Sequence, residues 1–334
     1  MLVHYKPVVN KCISWIRLAF KKNRIDVPHG WNSQAVDHYP IRDRSQRSAT
    51  QTEEYWNDVL VNYNQYVSVK ESLSDLEKRF EIYPYFRELM GLWGSHNDEV
   101  ILDYGCGPGN DLVGFLHHTK AKKVIGMDVS LKGLKYAQQR LFLHRFDPAR
   151  VELIKISDAI PKTPLDDSSV DYIYCEGVLH HTSYPEEILK EFYRIIKPQG
   201  EIRIMVYNYD SLWLHLFTAY VRMVLQNAFP GLNVEEAFTK NTDGENCPVS
   251  RCYRPAVFCS LCHKAGFKVN YLGGYLSQQE MNIYHTYGEQ ALSDERFSEE
   301  HKTFLKNLTF GPMGYPVYQG KYAGIGGVYQ LHPY

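Results

Sequence analysis

The chain has 334 residues, 44% hydrophobic and 22% charged, with a formal net charge of −1. That length and apolar content support a sizeable core, in one large domain with insertions or in two small ones. The charge balance argues against a globally basic nucleic-acid binder, and no apolar run reaches the roughly 18 residues that a spanning helix needs.

Seven cysteines, an odd number without a signal-peptide pattern, fit a reducing compartment, so a cytoplasmic protein is expected. The first fifty residues carry nine Lys or Arg against three Asp. Residues 5–24 read as a basic amphipathic helix, with Val9, Cys12, Ile13, Ile16 and Phe20 on one face and Lys11, Arg17, Lys21, Lys22 and Arg24 elsewhere. Such a helix can dock on its own domain, the first expectation, or make weak contact with an anionic membrane surface, the second. From Thr52 to about Trp93 the pattern is helical, with Pro84 opening a second segment. Residues 1–94 are therefore expected to form an N-terminal helical segment.

After Val100 the periodicity changes to alternating strands and helices. Strands are predicted at Val100–Tyr104, Lys123–Met127, Val151–Ile156, Val170–Cys175 and Glu201–Tyr207. Helices are predicted between them at Asp111–His118, Leu131–Phe146 and Glu186–Lys197. In the last, Ser183 and Glu186 resemble a capping box, Pro185 sits in the first turn, and Ile188, Leu189, Phe192, Ile195 and Ile196 form one stripe. Residues 208–253 read as an insertion that opens on an aromatic helical stretch, "SLWLHLFTAYVRMVL". A helix at Arg254–Lys264, with Val257, Leu261 and Cys262 inward, and a strand at Phe267–Leu272 resume the pattern. A second insertion reaches about Gly320, and "AGIGGVYQL" supplies a seventh strand. Such alternation predicts an α/β fold with a parallel sheet covered on both faces.

In such a sheet, ligands bind outside the carboxyl ends of the strands. Gly105, Gly107 and Gly109 of "VILDYGCGPGND" fall there, where bare backbone lets a ligand approach. Asp128 ends the second strand, where a carboxylate can take ribose hydroxyls, and Asp158 follows the third, within reach of an adenine amine. A dinucleotide fingerprint would need glycine where Asn110 stands, and Asp103 beside the turn repels phosphate but suits an ammonium. A ligand with adenosine at one end and an amino acid at the other fits: S-adenosylmethionine.

These segments, with "VIGMDVS" and "ISDAIPKTPLDDSSVDYIYCEGVLHHTSYPEEILKEFYRIIKPQGEIRIMVYN", resemble the class I methyltransferases, and within them the type 11 group that includes the ubiquinone and menaquinone enzymes. The resemblance implies a Rossmann-like seven-stranded sheet of order 3-2-1-4-5-7-6 with the last strand antiparallel. It gives residues 95–334 as the methyltransferase domain, with insertions at about 208–253 and 273–320, the first a lid. It further implies that Asp103, Gly105, Gly107 and Gly109 meet the methionine part of the cofactor, Asp128 the ribose, and Asp158 with Ala159 the adenine. Substrate enters above the fourth and fifth strands, where Glu176, His180, His181, Tyr207, Asn208 and Tyr209 stand, with Trp213, Phe217 and Tyr220 in the lid or its core. His180 is placed nearest the sulfonium as proton acceptor or orienter, with Glu176 holding it and Tyr207 beside it.

The expected substrate is a small molecule, with no nucleic-acid partner. A non-catalytic module that binds the adenosyl cofactor, or a nicotinamide-dependent oxidoreductase, are the competing readings; Asn110 and Asp103 oppose the latter. "CSLCH" matches a haem-attachment pattern, and Cys247, Cys252, Cys259 and Cys262 could make a thiolate zinc site. The helical pattern there opposes both, and no metal is expected.

Overall fold

The computed structural model describes residues 32–45, 49–61 and 63–334; the basic segment 5–24 lies outside them. Helix α1 (Gln34–His38), strand β1 (Ile41–Asp43) and helices α2 (Gln51–Asp58), α3 (Val69–Ile82) and α4 (Phe86–Met90) come first. The alternation then runs β2 (Val100–Tyr104), α5 (Asn110–His118), β3 (Lys123–Asp128), α6 (Leu131–His144), β4 (Val151–Lys155), β5 (Val170–Glu176), α7 (Pro185–Ile195) and β6 (Ile196–Tyr207). A π-helix (Trp213–Leu225), α8 (Val234–Thr242), α9 (Pro255–Lys264), β7 (Phe267–Tyr275), α10 (Gln278–Ser293) and α11 (Glu299–Lys306) follow. Short strands β8 (Thr309–Phe310), β9 (Pro316–Tyr318) and β10 (Lys321–Tyr322) precede the long β11 (Gly326–Pro333).

The main sheet has the order β1-β4-β3-β2-β5-β6-β11-β7, with β11 antiparallel to both neighbours and the other pairs parallel. Setting β1 aside, this is the expected order 3-2-1-4-5-7-6. The sheet has eight strands, not seven, because β1 joins its edge, pairing Ile41 with Leu153. Three residues with Arg42 and Asp43 exposed carry no apolar alternation, so the sequence gives β1 no signal. The first ninety-four residues are thus not purely helical. β8–β10 form a separate antiparallel sheet in the second insertion.

Three of the local expectations change. Tyr184, not Ser183, caps α7, and without a side-chain bond; Pro185 does open the helix and its apolar stripe is buried. β6 begins at Ile196 and takes in Pro198 and Gly200, because a register shift opposite, between Val170 and Tyr172, absorbs them. On α9, Phe258 and Cys262 turn inward while Val257 is exposed, as the i, i+4 spacing of the first two requires.

One core packs the α7 and α9 stripes against the sheet. The core of the opposite face takes Leu112 and Phe115 of α5 and Leu134 of α6 together with Leu76, Phe86, Met90 and Trp93 from the first ninety-four residues. The two insertions share a third core around the π-helix, whose residues Trp213 to Val221 are all buried. Trp213, Phe217 and Tyr220 are therefore lid core. Among the described residues, no helix is long and apolar enough to cross a membrane.

Candidate active site

The carboxyl ends of β2, β3, β4, β5 and β6 converge on one side of the sheet. Asp103 lies inside β2, only 3% exposed, and its Oδ2 has no hydrogen-bond partner. Burial, and then the nearby Asp111, Glu176 and Asp128, push its carboxyl well above the usual range. The guanidinium set among these acids is Arg79 of α3, which grips Asp111 at the start of α5 through Nη2 at 2.6 Å and Nη1 at 3.0 Å. One cation facing several buried carboxylates is a site that a cationic ligand relieves.

The three glycines all have positive φ, yet they serve different neighbours. A Cβ on Gly105 would stand 2.1 Å from Val178 Cγ2, and one on Gly109 would stand 2.9 Å from Ala137 Cβ. A Cβ on Gly107 would meet nothing within 4 Å, so Gly107 is the glycine that faces open space. The loop is pinned from β3: Asp128 Oδ2 accepts from Gly107 N–H at 2.7 Å and its Oδ1 from Ser130 N–H at 2.6 Å. Burial raises the Asp128 carboxyl while these backbone donors pull it back down. Asn110 accepts a hydrogen bond from Arg140 and opens α5, bound to protein at the place where the dinucleotide fingerprint has glycine.

After β4, Asp158 Oδ1 accepts from Thr182 Oγ1 at 2.7 Å, and Ala159 N–H donates to Ser157 Oγ at 3.3 Å. The Asp158 N–H donates to Glu53 Oε1 at 3.0 Å, and Ser157 Oγ donates to the same oxygen. Glu53 is 3% exposed and also pairs with Lys155 at 3.5 Å. Glu53 was not among the site residues expected from the sequence. Its one trace is Thr50-x-x-Glu53, a capping-box spacing in which Thr50 does accept from Glu53 N–H while the Glu53 side chain crosses to the β4 loop instead.

After β5, the His180 ring is fully buried between His181 (centroids 4.0 Å) and Tyr207 (3.8 Å), with both ring nitrogens unpartnered. Burial, then His181 and Arg251, hold it well below the ordinary histidine value, so it is neutral at pH 7. Glu176 does not hold it. The Glu176 carboxylate accepts from Tyr275 Oη at 3.1 Å and belongs with Asp111 and Arg79, and burial and then Asp111 push it up to about 7. Tyr207 Oη donates to Asp243 Oδ1 at 2.7 Å, and Ser250 Oγ to Asp243 Oδ2 at 2.6 Å. His181 Nδ1–H donates to Val249 O at 2.9 Å, its Nε2 stands 3.6 Å from Asp243 Oδ1, and Trp56 packs on its ring at 4.6 Å. Asn208 is tied to Gly324 and Tyr209 to Glu300, so neither serves this pocket.

A methyltransferase-domain family model matches residues 95–285. The chain belongs to the class I S-adenosylmethionine-dependent methyltransferase family. Asp103 Oδ2, buried and unpartnered in an acidic cluster, fits the ammonium of that cofactor. An uncharacterized 37.1 kDa protein in transposon TN4556 of Streptomyces fradiae is 31% identical over 145 residues, 43% of this chain and 36% of its own length. A tRNA U34 carboxymethyltransferase of Helicobacter pylori (strain J99) is 33% identical over 118 residues, 34% of this chain and 42% of its own length. The methyltransferase thus aligns with half or less of the length of these curated relatives. Among solved structures, the geranyl diphosphate C-methyltransferase of Streptomyces coelicolor A3(2) shares the fold at TM-score 0.50 and 14% identity, covering 85% of this chain and 98% of that one. A chain of the Haloferax volcanii complex between the Trm112 methyltransferase activator and a methyltransferase does so at TM-score 0.50 and 13% identity, covering 86% and 100%.

The four-thiolate zinc site does not assemble. Cys262 is buried in the α9 core, and the cluster of possible metal ligands among the described residues joins Cys247 to His181 and Asp243 instead.

Proposed function

We propose that this chain transfers the methyl group of S-adenosylmethionine to a small-molecule acceptor, releasing S-adenosylhomocysteine. The observation that carries this reading is the unpartnered buried oxygen of Asp103, set among Asp111, Asp128 and Glu176 against one guanidinium. The cofactor supplies a methyl already activated on a sulfonium, so an aligned nucleophile matters more than acid–base help. In this reading Asp103 receives the ammonium and Gly107 lets the backbone approach the methionine part. Asp128 takes ribose hydroxyls on the lone pairs its two backbone bonds leave free, and Asp158 with Ala159 borders the adenine. Neutral His180 accepts the proton that an oxygen or nitrogen acceptor gives up, and Tyr207 orients its ring. Glu176 contributes charge to the cofactor side. The composition supports a cytoplasmic enzyme.

A second reading has an RNA acceptor, since one relative is named for tRNA. The two part in one experiment with cell extract and labelled S-adenosylmethionine. Label should enter small metabolites, with S-adenosylhomocysteine formed, and ribonuclease should not reduce it. Label found only in RNA would reverse the assignment, and cofactor binding without S-adenosylhomocysteine would leave a non-catalytic binding module.

A further inference from the structure

Cys247, His181 and Asp243 each offer a ligand atom, and these atoms all lie within 4.8 Å of one another. The three residues come from different places: the loop between β5 and α7, and the segment after α8. We propose that they bind one divalent transition-metal ion of borderline softness, of the zinc class, beside the acceptor pocket. Thiolate, imidazole and carboxylate are the ligands such ions take, and three protein ligands leave a coordination position for water or an acceptor.

The geometry around the cluster supports this. Two atoms on one tetrahedral ion with bonds of about 2.0–2.3 Å stand roughly 3.3–3.7 Å apart, and His181 Nε2 stands 3.6 Å from Asp243 Oδ1. His181 donates its Nδ1–H to Val249 O, which fixes the tautomer and leaves the Nε2 lone pair free. Both Asp243 oxygens are oriented by hydroxyl donors, Tyr207 on one and Ser250 on the other. Metal-ligating histidines and carboxylates are held in this way by an outer shell. The exposed residues 244–246 give an ion a path to half-buried Cys247.

A Cys–His–Asp proton relay is the competing use of the same residues, and the hydrogen bonding opposes it. His181 Nδ1, 4.0 Å from Sγ, already carries the proton it gives to Val249, so it cannot take the thiol proton. On metal binding that thiol proton, now directed at Val249 O, leaves to solvent. That the ion would polarise an acceptor thiol or hydroxyl rests on the proposed function; the binding itself does not.

The test is a titration of the full-chain protein, freed of metal by a chelator, with Co²⁺. One equivalent should bind, with thiolate-to-cobalt charge-transfer absorption that one equivalent of Zn²⁺ displaces. Cys247→Ser should abolish that absorption, and Ser250→Ala, which removes only the hydrogen bond that orients Asp243, should weaken Co²⁺ binding by about 10-fold or more. Circular dichroism identical to the wild type establishes that each variant is folded. Failure of the wild type to bind stoichiometrically, or absorption unchanged in Cys247→Ser, overturns the proposal. S-adenosylmethionine affinity is measured separately, so loss of the cofactor reading and loss of the metal site are told apart.

Discussion

Arg79 and Asp111 join α3 to the first turn of α5 through two hydrogen bonds, with side chains only 11% and 8% exposed. The pair ties the helices that precede the methyltransferase sheet to its buried acidic cluster, because Arg79 also faces Asp103 and Glu176. Removing one partner leaves a buried charge uncompensated. Arg79→Met should therefore destabilise the protein by about 3–5 kcal/mol in urea unfolding. The double variant Arg79→Met, Asp111→Leu should recover a large part of that loss. A double variant no more stable than the single one would show that the pair is not the source.

The glycines can be separated by substitution. Gly105→Ala drives a methyl into Val178 and should lower the melting temperature sharply. Gly107→Ala has room and should cost about 1–2 kcal/mol of backbone strain, while S-adenosylmethionine affinity falls by more than the stability loss explains. Equal effects of the two on cofactor binding would mean that Gly107 does not face the ligand.

Glu176 gives a pH dependence whose sign is fixed. Its folded-state value of about 7 lies above the ordinary 4.5. Below 4.5 the carboxyl is protonated in folded and unfolded chains alike, so its stabilising effect is fully present. As pH rises toward 7 the unfolded chain ionises first, and stability falls through the folded-state value. Relative to Glu176→Gln, the cofactor-free wild type should lose no more than about 3 kcal/mol between pH 4.5 and 8, read from denaturation midpoints. A difference that is flat across this range, or that grows in the wild type's favour, contradicts the assigned environment.

His180→Ala should lower kcat by about 10²–10⁴-fold while cofactor affinity stays within a few-fold. Because burial keeps the ring neutral, the wild-type rate should show no inflection near the ordinary histidine value. Near-normal turnover in the variant would make His180 a packing residue between His181 and Tyr207.

The parallel α/β sheet was legible because the βα alternation, with one apolar stripe per helix as on α7, leaves few topologies; the order of its strands came from the resemblance to the class I methyltransferases. The ends of those parallel strands bring Asp103, Asp128 and Asp158 to the same edge of the sheet. What stayed hidden depends on contacts across long stretches of chain. Glu53 meets Asp158 across 105 residues, Arg79 meets Asp111 across 32, and neither leaves a periodic trace. The link expected between Glu176 and His180 failed for a local reason: Tyr275, at the end of a strand extended three residues beyond its predicted limit, takes the carboxylate. Cys247 was visible as a candidate thiolate ligand but with the wrong partners, since His181 reaches it from a loop 66 residues away.

Buried Asp103 is proposed to receive the ammonium of S-adenosylmethionine. Isothermal titration of the wild type and Asp103→Asn with S-adenosylmethionine, and with 5′-methylthioadenosine, which lacks the amino acid, tests it most directly. Asp103→Asn should weaken S-adenosylmethionine binding by about 10- to 150-fold, the equivalent of a lost charged hydrogen bond, while 5′-methylthioadenosine binds both proteins alike. Equal affinity of the two proteins for S-adenosylmethionine, or a parallel loss for both ligands, would contradict it.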